Sequence, residues 1–269
     1  MTGAAPGFAE EHLYQRLGIV SRALDESSGE TYLPINDGLR SGGLLRAAPL
    51  GLAFEHSFAT YAFDTILAVP TEISLHIRDN GLGVELARSE TRIVRLGRSQ
   101  VVTEGEIRDA HRPKRLIAFG TITWAVTGDA VAGGPSVGTP DLPTDDAFSA
   151  QPSVAVLDAV GIEHLPDGCQ IAQVTPAIAG PGGILHAGVS QLLCEEEALL
   201  VGRKAWSDRH VSVADCTYNS LSAGKVGPFV AQCEVMARDG SSIDCRVSVR
   251  DRGNANRPVC YSIIRVCKV

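Results

Sequence analysis

A long internal repeat is the feature that most restricts the fold of this 269-residue chain. Glycine, alanine and aspartate landmarks recur in the same order, 142 to 145 residues apart. The pairs are Gly43 and Gly188, Gly83 and Gly227, Ala87 and Ala231, Gly97 and Gly240, and Asp109 and Asp251. A unit of this length is a whole domain, because solenoid repeats span only about 20 to 50 residues. The sequence therefore predicts two copies of one small fold, and polar differences between the copies should indicate function.

The composition is typical of a globular protein, since 44% of the residues are hydrophobic. A formal net charge of −7 argues against nucleic acid or an anionic membrane as the main partner. All seven cysteines lie in the second copy without a CxxC pair, which disfavours a metal site and favours reduced, core-facing thiols. Neither a signal-peptide pattern nor an apolar run of about 18 residues is present, so we expect a cytoplasmic protein.

Each copy is expected to contain one long helix followed by an antiparallel meander. The helices are predicted over 44–62 and about 185–202, where Leu and Ala are frequent. Strand-like runs rich in Val, Ile and Thr follow each helix. They lie at 72–78, 84–95, 99–109 and 116–126, and at 211–218, 229–237, 243–250 and 259–267. This pattern predicts an N-terminal extension, a first domain, a linker and a second domain. Their predicted bounds are 1–28, 29–127, 128–152 and 153–269.

A strand, a long helix and an antiparallel sheet in this order resemble the hot-dog fold. Three short sequence motifs resemble those of the phenylacetate-type acyl-CoA thioesterase family of that superfamily. They are a glycine-rich turn before the helix, Pro-Thr-Glu-Ile-Ser-Leu at 70–75, and Arg-Ile-Val-Arg-Leu-Gly-Arg-Ser at 92–99. The resemblance covers about 36–126 and 170–269. It implies an α+β chain of two hot-dog domains, each a long central helix wrapped by a curved antiparallel sheet, forming a pseudo-dimer.

The same resemblance implies hydrolysis of an acyl-CoA or acyl-carrier thioester, with coenzyme A only as part of the substrate and no other cofactor. A homo-oligomer of such chains is compatible with it. In this family a composite site combines a glycine turn, whose N–H groups hold the thioester carbonyl, with a carboxylate from the other copy. Carried onto this chain, the site would join Gly42 and Gly43 to Glu195, which lies nine residues after His186. The alternative for Glu195 is a solvated helix face shared with Glu196 and Glu197.

The first copy departs from this pattern. Nine residues after Ser41 stands Leu50, which can do no acid–base chemistry, and Glu55 and His56 follow at a different helical angle. The composite site that contains His186 is therefore expected to lack its acid. The sequence predicts one working site in each chain.

Several further residues gain a role only from the resemblance. Asn36 resembles the Asn that helps to hold the carbonyl, and Ser212 resembles a residue that orients water. The remaining candidates would bind substrate: His186, Thr71, Arg95 and Arg98, of which the two arginines would contact coenzyme A phosphates. The acyl chain would lie between the helices, beside Leu45, Leu52, Leu192 and Leu199. The alternative for Thr71 and Ser212 is a structural role in a strand. The alternative for the two arginines is a solvated hairpin.

Two other functions stay open from the sequence. The first is a non-catalytic acyl-CoA or lipid-binding hot-dog protein, which a solvent-facing Glu195 would favour. The second is a specialised hot-dog enzyme, either a dehydratase or one that processes a carrier-bound thioester. A dehydratase of this kind carries a His and an Asp close together on the loop and helix, a pair that this sequence lacks.

Overall fold

The computed structural model describes residues 12–62, 66–129, 155–166, 168–207 and 210–269. It is an α+β structure with one large antiparallel sheet of twelve strands and few helices. The first half contains α1 (Leu13–Arg16), β1 (Val20–Ala23), β2 (Ser28–Pro34), β3 (Arg40–Ser41), β4 (Leu44–Leu45), α2 (Ala47–Ala62), β5 (Ile66–Ile77), β6 (Leu86–Leu96), β7 (Gln100–Asp109) and β8 (Arg112–Asp129).

The second half has its elements in the same order. It contains α3 (Val156–Val160), β9 (Ile162–Leu165), β10 (Gly168–Ile171), α4 (Ala187–Trp206), β11 (Val211–Ser220), β12 (Phe229–Arg238), β13 (Ser242–Asp251) and β14 (Arg257–Lys268). Short 3₁₀ turns precede each long helix, at Asp37–Leu39, Pro176–Ile178 and Pro181–Gly183.

The strand order reads the same for both halves when followed outward from the middle of the sheet. It is β1-β2-β6-β7-β8-β5-β11-β14-β13-β12-β10-β9. The halves join through the antiparallel pair β5–β11, in which Ser74 lies opposite Thr217 with their hydroxyl oxygens 3.3 Å apart. Backbone hydrogen bonds therefore run across the junction, and the sheet is continuous.

The two long helices pack against the sheet and against each other. Helix α2 contacts β1, β2 and β6, and α4 contacts β11, β13 and β14. Where the helices meet, Gly51 leaves room for Gln191, since a Cβ at Gly51 would lie 2.4 Å from Gln191 Oε1. Apolar side chains fill the space between helices and sheet, including Phe58 stacked on Trp124 with ring centroids 4.2 Å apart.

The meander strands predicted from alternating Val, Ile and Thr are confirmed in both halves. The start of the first long helix was predicted too early, because residues 40–45 form the small hairpin β3–β4 instead. Gly42 and Gly43 make its two-residue turn, with φ of 58° and 85°, a left-handed backbone that glycine adopts without strain. Helix α2 begins after this hairpin, at Ala47.

The predicted boundary at residue 29 falls inside a hairpin of the sheet, because β1 pairs with β2. In the second half β9 pairs with β10 in the same way. Most of the predicted linker, from residue 130 to 152, lies outside the described residues. Within the described part of the chain, no helix combines the length and the apolar character needed to cross a membrane. The same residues contain no cluster of His, Cys, Asp and Glu that could hold a metal ion.

Candidate functional site

Each long helix directs a buried glutamate towards the start of the other helix. Helix α4 is capped by His186, and Glu195 lies nine residues later. Helix α2 begins directly after Arg46, and nine residues later lies Glu55. The expectation that the first copy lacks its acid is therefore wrong. Leu50, the residue taken for that position, is fully buried in the core.

Glu195 and the start of α2 form what we call the Glu195 centre. The side chain is 1% exposed, and its two oxygens accept hydrogen bonds from the backbone nitrogens of Ala47 and Ala48, each at 2.7 Å. Burial raises the pKa of Glu195, and the positive charge of Arg46 and the two backbone bonds oppose that rise. The carboxylate thus occupies N–H groups that a helix start leaves unpaired.

The two neighbouring acids are also buried, so the interpretation of 195–197 as a solvated helix face is wrong. Glu196 contacts Arg46 Nη1 at 2.7 Å, His164 Nε2 at 3.0 Å and Arg203 Nη2 at 2.5 Å. Burial alone would raise the pKa of Glu196, but Arg46 and Arg203 hold it below its usual range. Burial raises the pKa of Glu197.

Glu55, His186, Tyr14 and the start of α4 form a second cluster, the Glu55 centre. His186 Nε2 lies 2.8 Å from Tyr14 Oη and 3.6 Å from Glu55 Oε1. His186 Nδ1 accepts the N–H of Gly188 at 3.1 Å, so the neutral ring carries its hydrogen on Nε2 and directs it towards Tyr14. Glu55 Oε2 has no hydrogen-bond partner among the residues that the structure describes.

The side chains of the Glu55 centre are uncharged near neutral pH. Burial raises the pKa of Glu55 to about 8. Burial, with a smaller effect of the nearby His12, lowers the pKa of His186 to about 3 and that of His56 to about 4. His56 also bonds to Ser21, whose Oγ lies 2.5 Å from its Nδ1. Groups with strongly shifted pKa values cluster at functional sites, which marks this centre as a candidate.

The glycine turn that was expected to face Glu195 lies elsewhere. Gly42 and Gly43 are exposed at the tip of the β3–β4 hairpin, ahead of the helix. The Gly42 carbonyl lies 3.2 Å from His210 Nδ1, and the Gly43 carbonyl accepts a bond from Arg40. The N–H groups at Glu195 therefore come from the first two helical residues and not from the glycines.

Among the described residues, the polar side chains carried over from the resemblance make no hydrogen bond to Glu195 or Glu55. Asn36 Oδ1 accepts the N–H of Gly38 at 2.8 Å and caps the first 3₁₀ turn. Thr71 donates to the Thr123 carbonyl at 3.0 Å, at an irregularity in β5. Ser212 is half-buried at the start of β11.

The arginines and leucines also have defined places. Arg95 and Arg98 are exposed around the β6–β7 turn, whereas the nearby Arg92 pairs with Glu104 at 2.5 Å. The four leucines proposed to line the acyl chain are all buried in the core: Leu45, Leu52, Leu192 and Leu199. Cys194 is buried as well, as expected for a core-facing thiol.

Sequence reasoning missed Glu55, Tyr14 and His56. The signal for Glu55 was present, because Leu45-Arg46-Ala47 at the start of α2 matches Leu185-His186-Ala187 at the start of α4. Pairing Gly43 with Gly188 obscured this match and displaced the helix by several residues. Tyr14 had no such signal, since it contacts His186 across 172 residues of sequence.

The sequence matches no family model and no curated protein. Solved structures do resemble the chain over nearly its whole length. A TesB protein from Mycobacterium avium subsp. paratuberculosis has a TM-score of 0.61 at 9% identity, covering 95% of this chain and 97% of its own. A Thermobifida fusca protein provisionally assigned as a thioesterase II has a TM-score of 0.62 at 16% identity, covering 98% of this chain and 99% of its own.

A third solved structure is an acyl-ACP thioesterase from Bacteroides thetaiotaomicron. It has a TM-score of 0.53 at 13% identity and covers 90% of this chain and 100% of its own. At these identities the likeness concerns the fold and not the activity. The resemblance to thioesterases is thus confirmed at the level of architecture: the chain has the fold of these solved thioesterase structures.

Proposed function

We propose that the protein is a thioester hydrolase built from two hot-dog halves, acting on an acyl-CoA or acyl-carrier thioester at the Glu195 centre. One observation carries the proposal: a buried carboxylate of one half bonds to the N–H groups that open the long helix of the other half. These are the groups that thioester hydrolysis requires, an acid or base beside donors for a developing oxyanion.

The chemistry follows from the two hydrogen bonds of Glu195. The thioester oxygen replaces one carboxylate oxygen at Ala48 N, while the other oxygen stays at Ala47 N. The freed oxygen of Glu195 accepts a proton from water as the water oxygen attacks the carbonyl carbon. The tetrahedral intermediate places its negative charge at the N–H groups and the positive end of α2. The carbon–sulfur bond then breaks, and the thiolate leaves with the proton that Glu195 held.

We also propose auxiliary roles for residues outside the centre. Arg95 and Arg98 are exposed, as contact with coenzyme A phosphates would require, and a guanidinium suits phosphate well. Asn36 uses its amide oxygen on Gly38, which leaves the NH₂ group as its donor for a thioester carbonyl. Ser212 is proposed to orient water near the start of β11.

A dehydratase is the second candidate, because His186 and Glu55 form a His–acid pair that the sequence did not reveal. The hydrogen bonding of His186 argues against it. Its Nδ1 accepts the Gly188 N–H and its Nε2 faces Tyr14, so the neutral ring has no free lone pair to remove a proton. A solvent-facing Glu195 would have favoured a non-catalytic binding protein, and the burial of Glu195 removes that support.

The test is hydrolysis of short, long and aromatic acyl-CoAs, with free thiol detected, by the wild type and by Glu195→Gln. We expect the substitution to lower kcat by about 10²- to 10⁴-fold, the usual contribution of a positioned acid or base. Glu197→Gln is the matched control, because Glu197 is a buried acid of the same helix that makes no hydrogen bond to the start of α2 within the described chain. Equal rates in all three proteins would contradict the proposal.

A further inference from the structure

We propose that the Glu55 centre is a second thioester-hydrolysing site, with Glu55 as its catalytic residue. The inference rests on the proposed thioesterase function and adds a site that the sequence pattern excluded. The starting observation is positional: Glu55 and Glu195 stand at the same distance from the starts of their own helices. The long helices contact each other, with Glu195 bonded to the start of α2 and Glu55 beside Gly188 at the start of α4.

The two acids differ in the hydrogen-bond partners of their carboxyl oxygens. Both oxygens of Glu195 are bonded to backbone N–H groups of α2. Glu55 Oε2, in a side chain only 6% exposed, has no such partner in the described chain. A buried polar atom without a partner is costly, so a carboxyl oxygen kept in this state needs an explanation. Glu197 Oε2 is also without a partner in the described chain, but it is Glu55 Oε2 that lies against Gly188 at the start of α4, where a bonded ligand would supply the explanation.

The unpartnered oxygen lies beside the N-terminal turn of α4. A Cβ built on Gly188 would lie 3.4 Å from Glu55 Oε2, which places that oxygen against the second residue of the helix. His186 Nδ1 already accepts the Gly188 N–H, so a ligand would meet the remaining N–H groups of this first turn and the positive end of the dipole of a 20-residue helix. A thioester carbonyl bound there would lie beside Glu55, as proposed for the carbonyl at Glu195.

Helix α1 covers this centre. Tyr14 bonds to His186, His12 Nε2 lies 3.1 Å from the Ala179 carbonyl, and Arg16 donates to the Ala159 carbonyl at 2.9 Å. Tyr14 and His12 are buried, so this four-residue helix packs closely over the Glu55 centre.

The reaction at Glu55 is the same hydrolysis. The Glu55 carboxylate accepts a proton from water, and the water oxygen bonds to the carbonyl carbon. The carbon–sulfur bond then breaks, and the thiolate takes the proton to leave as a free thiol. The products are one acid and one thiol for each water consumed, and no further reactant is needed.

The experiment measures hydrolysis of the acyl-CoA panel by the wild type, Glu55→Gln, Glu195→Gln and the double variant. We expect Glu195→Gln to retain a residual rate that the double variant loses by about 100-fold or more. Loss of activity in Glu55→Gln alone, with Glu195→Gln unchanged, would also support the second site and would move the proposed function to it.

Two other outcomes would overturn the inference. Full activity in Glu55→Gln, with none left in Glu195→Gln, rejects the second site and leaves the proposed function intact. No hydrolysis by the wild type rejects both. Circular dichroism and thermal unfolding check each variant, with Glu197→Gln as control. If Glu55→Gln does not fold, Tyr14→Phe in the Glu195→Gln background decides: the residual rate should change several-fold, and an unchanged rate rejects the site.

Discussion

The carboxylate of Glu195 lies 2.7 Å from the backbone nitrogen of Ala47, the first residue of the opposite long helix. A second bond of the same length joins it to the next nitrogen. The side chain therefore does for this helix what a polar capping residue does from within its own helix.

This cap predicts a stability effect independent of activity. Glu195→Ala removes both acceptors and leaves buried N–H groups unpaired, which should lower the free energy of unfolding by about 1–3 kcal/mol. Glu195→Gln keeps one oxygen as acceptor and should cost less. Denaturant unfolding of both variants measures whether Glu195→Ala loses more free energy of unfolding than Glu195→Gln. An alanine variant as stable as the wild type would show that water replaces the cap at no cost.

The buried ion pair of Arg46 and Glu196 predicts a larger effect. Arg46→Met leaves the buried carboxylate of Glu196 with His164 and Arg203 as its partners in the described chain, so we expect a loss of about 3 kcal/mol, the lower end for breaking such a pair. Arg92→Met breaks an exposed pair with Glu104 and should cost less than about 1 kcal/mol. Chemical denaturation of the two variants gives the comparison, and similar losses would contradict the burial argument.

The close approach of the long helices at Gly51 predicts a steric penalty. Gly51→Ala places a methyl group 2.4 Å from Gln191 Oε1, and overpacking of this kind costs about 1–3 kcal/mol. Alanine gains up to about 1 kcal/mol in helix propensity, so the net effect should be a modest loss.

The double variant Gly51→Ala, Gln191→Ala tests the cause of that loss. Removing the amide makes room for the methyl group, so the two substitutions should couple in thermal unfolding, with the double variant more stable than additivity allows. Additive effects would place the penalty elsewhere than in this contact.

The Glu55 centre predicts how stability depends on pH. Glu55 has a pKa of about 8 when folded against 4.5 otherwise, so between these values the folded state holds the extra proton. Stability therefore falls as pH rises through this window, by an amount of the order of 5 kcal/mol. His56 and His186, with pKa values of about 4 and 3, act in the opposite sense below pH 6.5. The pKa of Tyr14 is held well above 10, so Tyr14 does not titrate in this range.

Together these groups should give maximal stability near pH 6.5, measured as denaturant midpoints at pH 5, 6.5 and 8. Glu55→Gln should remove the decline above pH 6.5. His186→Asn should weaken the decline below it while keeping a side-chain cap for the Gly188 N–H. Unchanged slopes in both variants would show that other groups set the pH dependence.

The same titration predicts the pH profile of the second site. Glu55 must lose its proton to act as a base, so the residual hydrolysis by Glu195→Gln should rise with pH and reach half its maximum near pH 8. Rates measured in overlapping buffers at constant ionic strength give the profile. A residual rate that is flat from pH 6 to 9 would exclude Glu55 as its base.

The sheet was the part of the fold that local sequence predicted best. Alternating Val, Ile and Thr located all the meander strands in both halves, although β5 begins earlier than predicted, at Ile66 and not at residue 72. The hairpin formed by β3 and β4 was missed, since each strand has only two residues and leaves almost no periodic signal. The β1–β2 hairpin was missed for a related reason, because the first 28 residues were assigned to an extension.

The same short hairpin decided the accuracy of the site prediction. Counting nine residues from His186 reached Glu195, because His186 is the residue that caps its helix. The equivalent count in the first half began at Ser41, inside the hairpin, and ended on Leu50 instead of Glu55. The Tyr14 contact and the shifted pKa values arise from tertiary burial, which no local pattern encodes.

The sheet is continuous across β5 and β11, so the two halves form one unit although their sequences can differ. Two identical subunits related by a two-fold axis must carry the same residue at both equivalent places, so every substitution appears twice. Here both halves belong to one polypeptide, and the residue before each long helix differs: Arg46 in one half and His186 in the other. A single gene product can therefore keep one carboxyl beside a fixed positive charge and its counterpart among neutral rings.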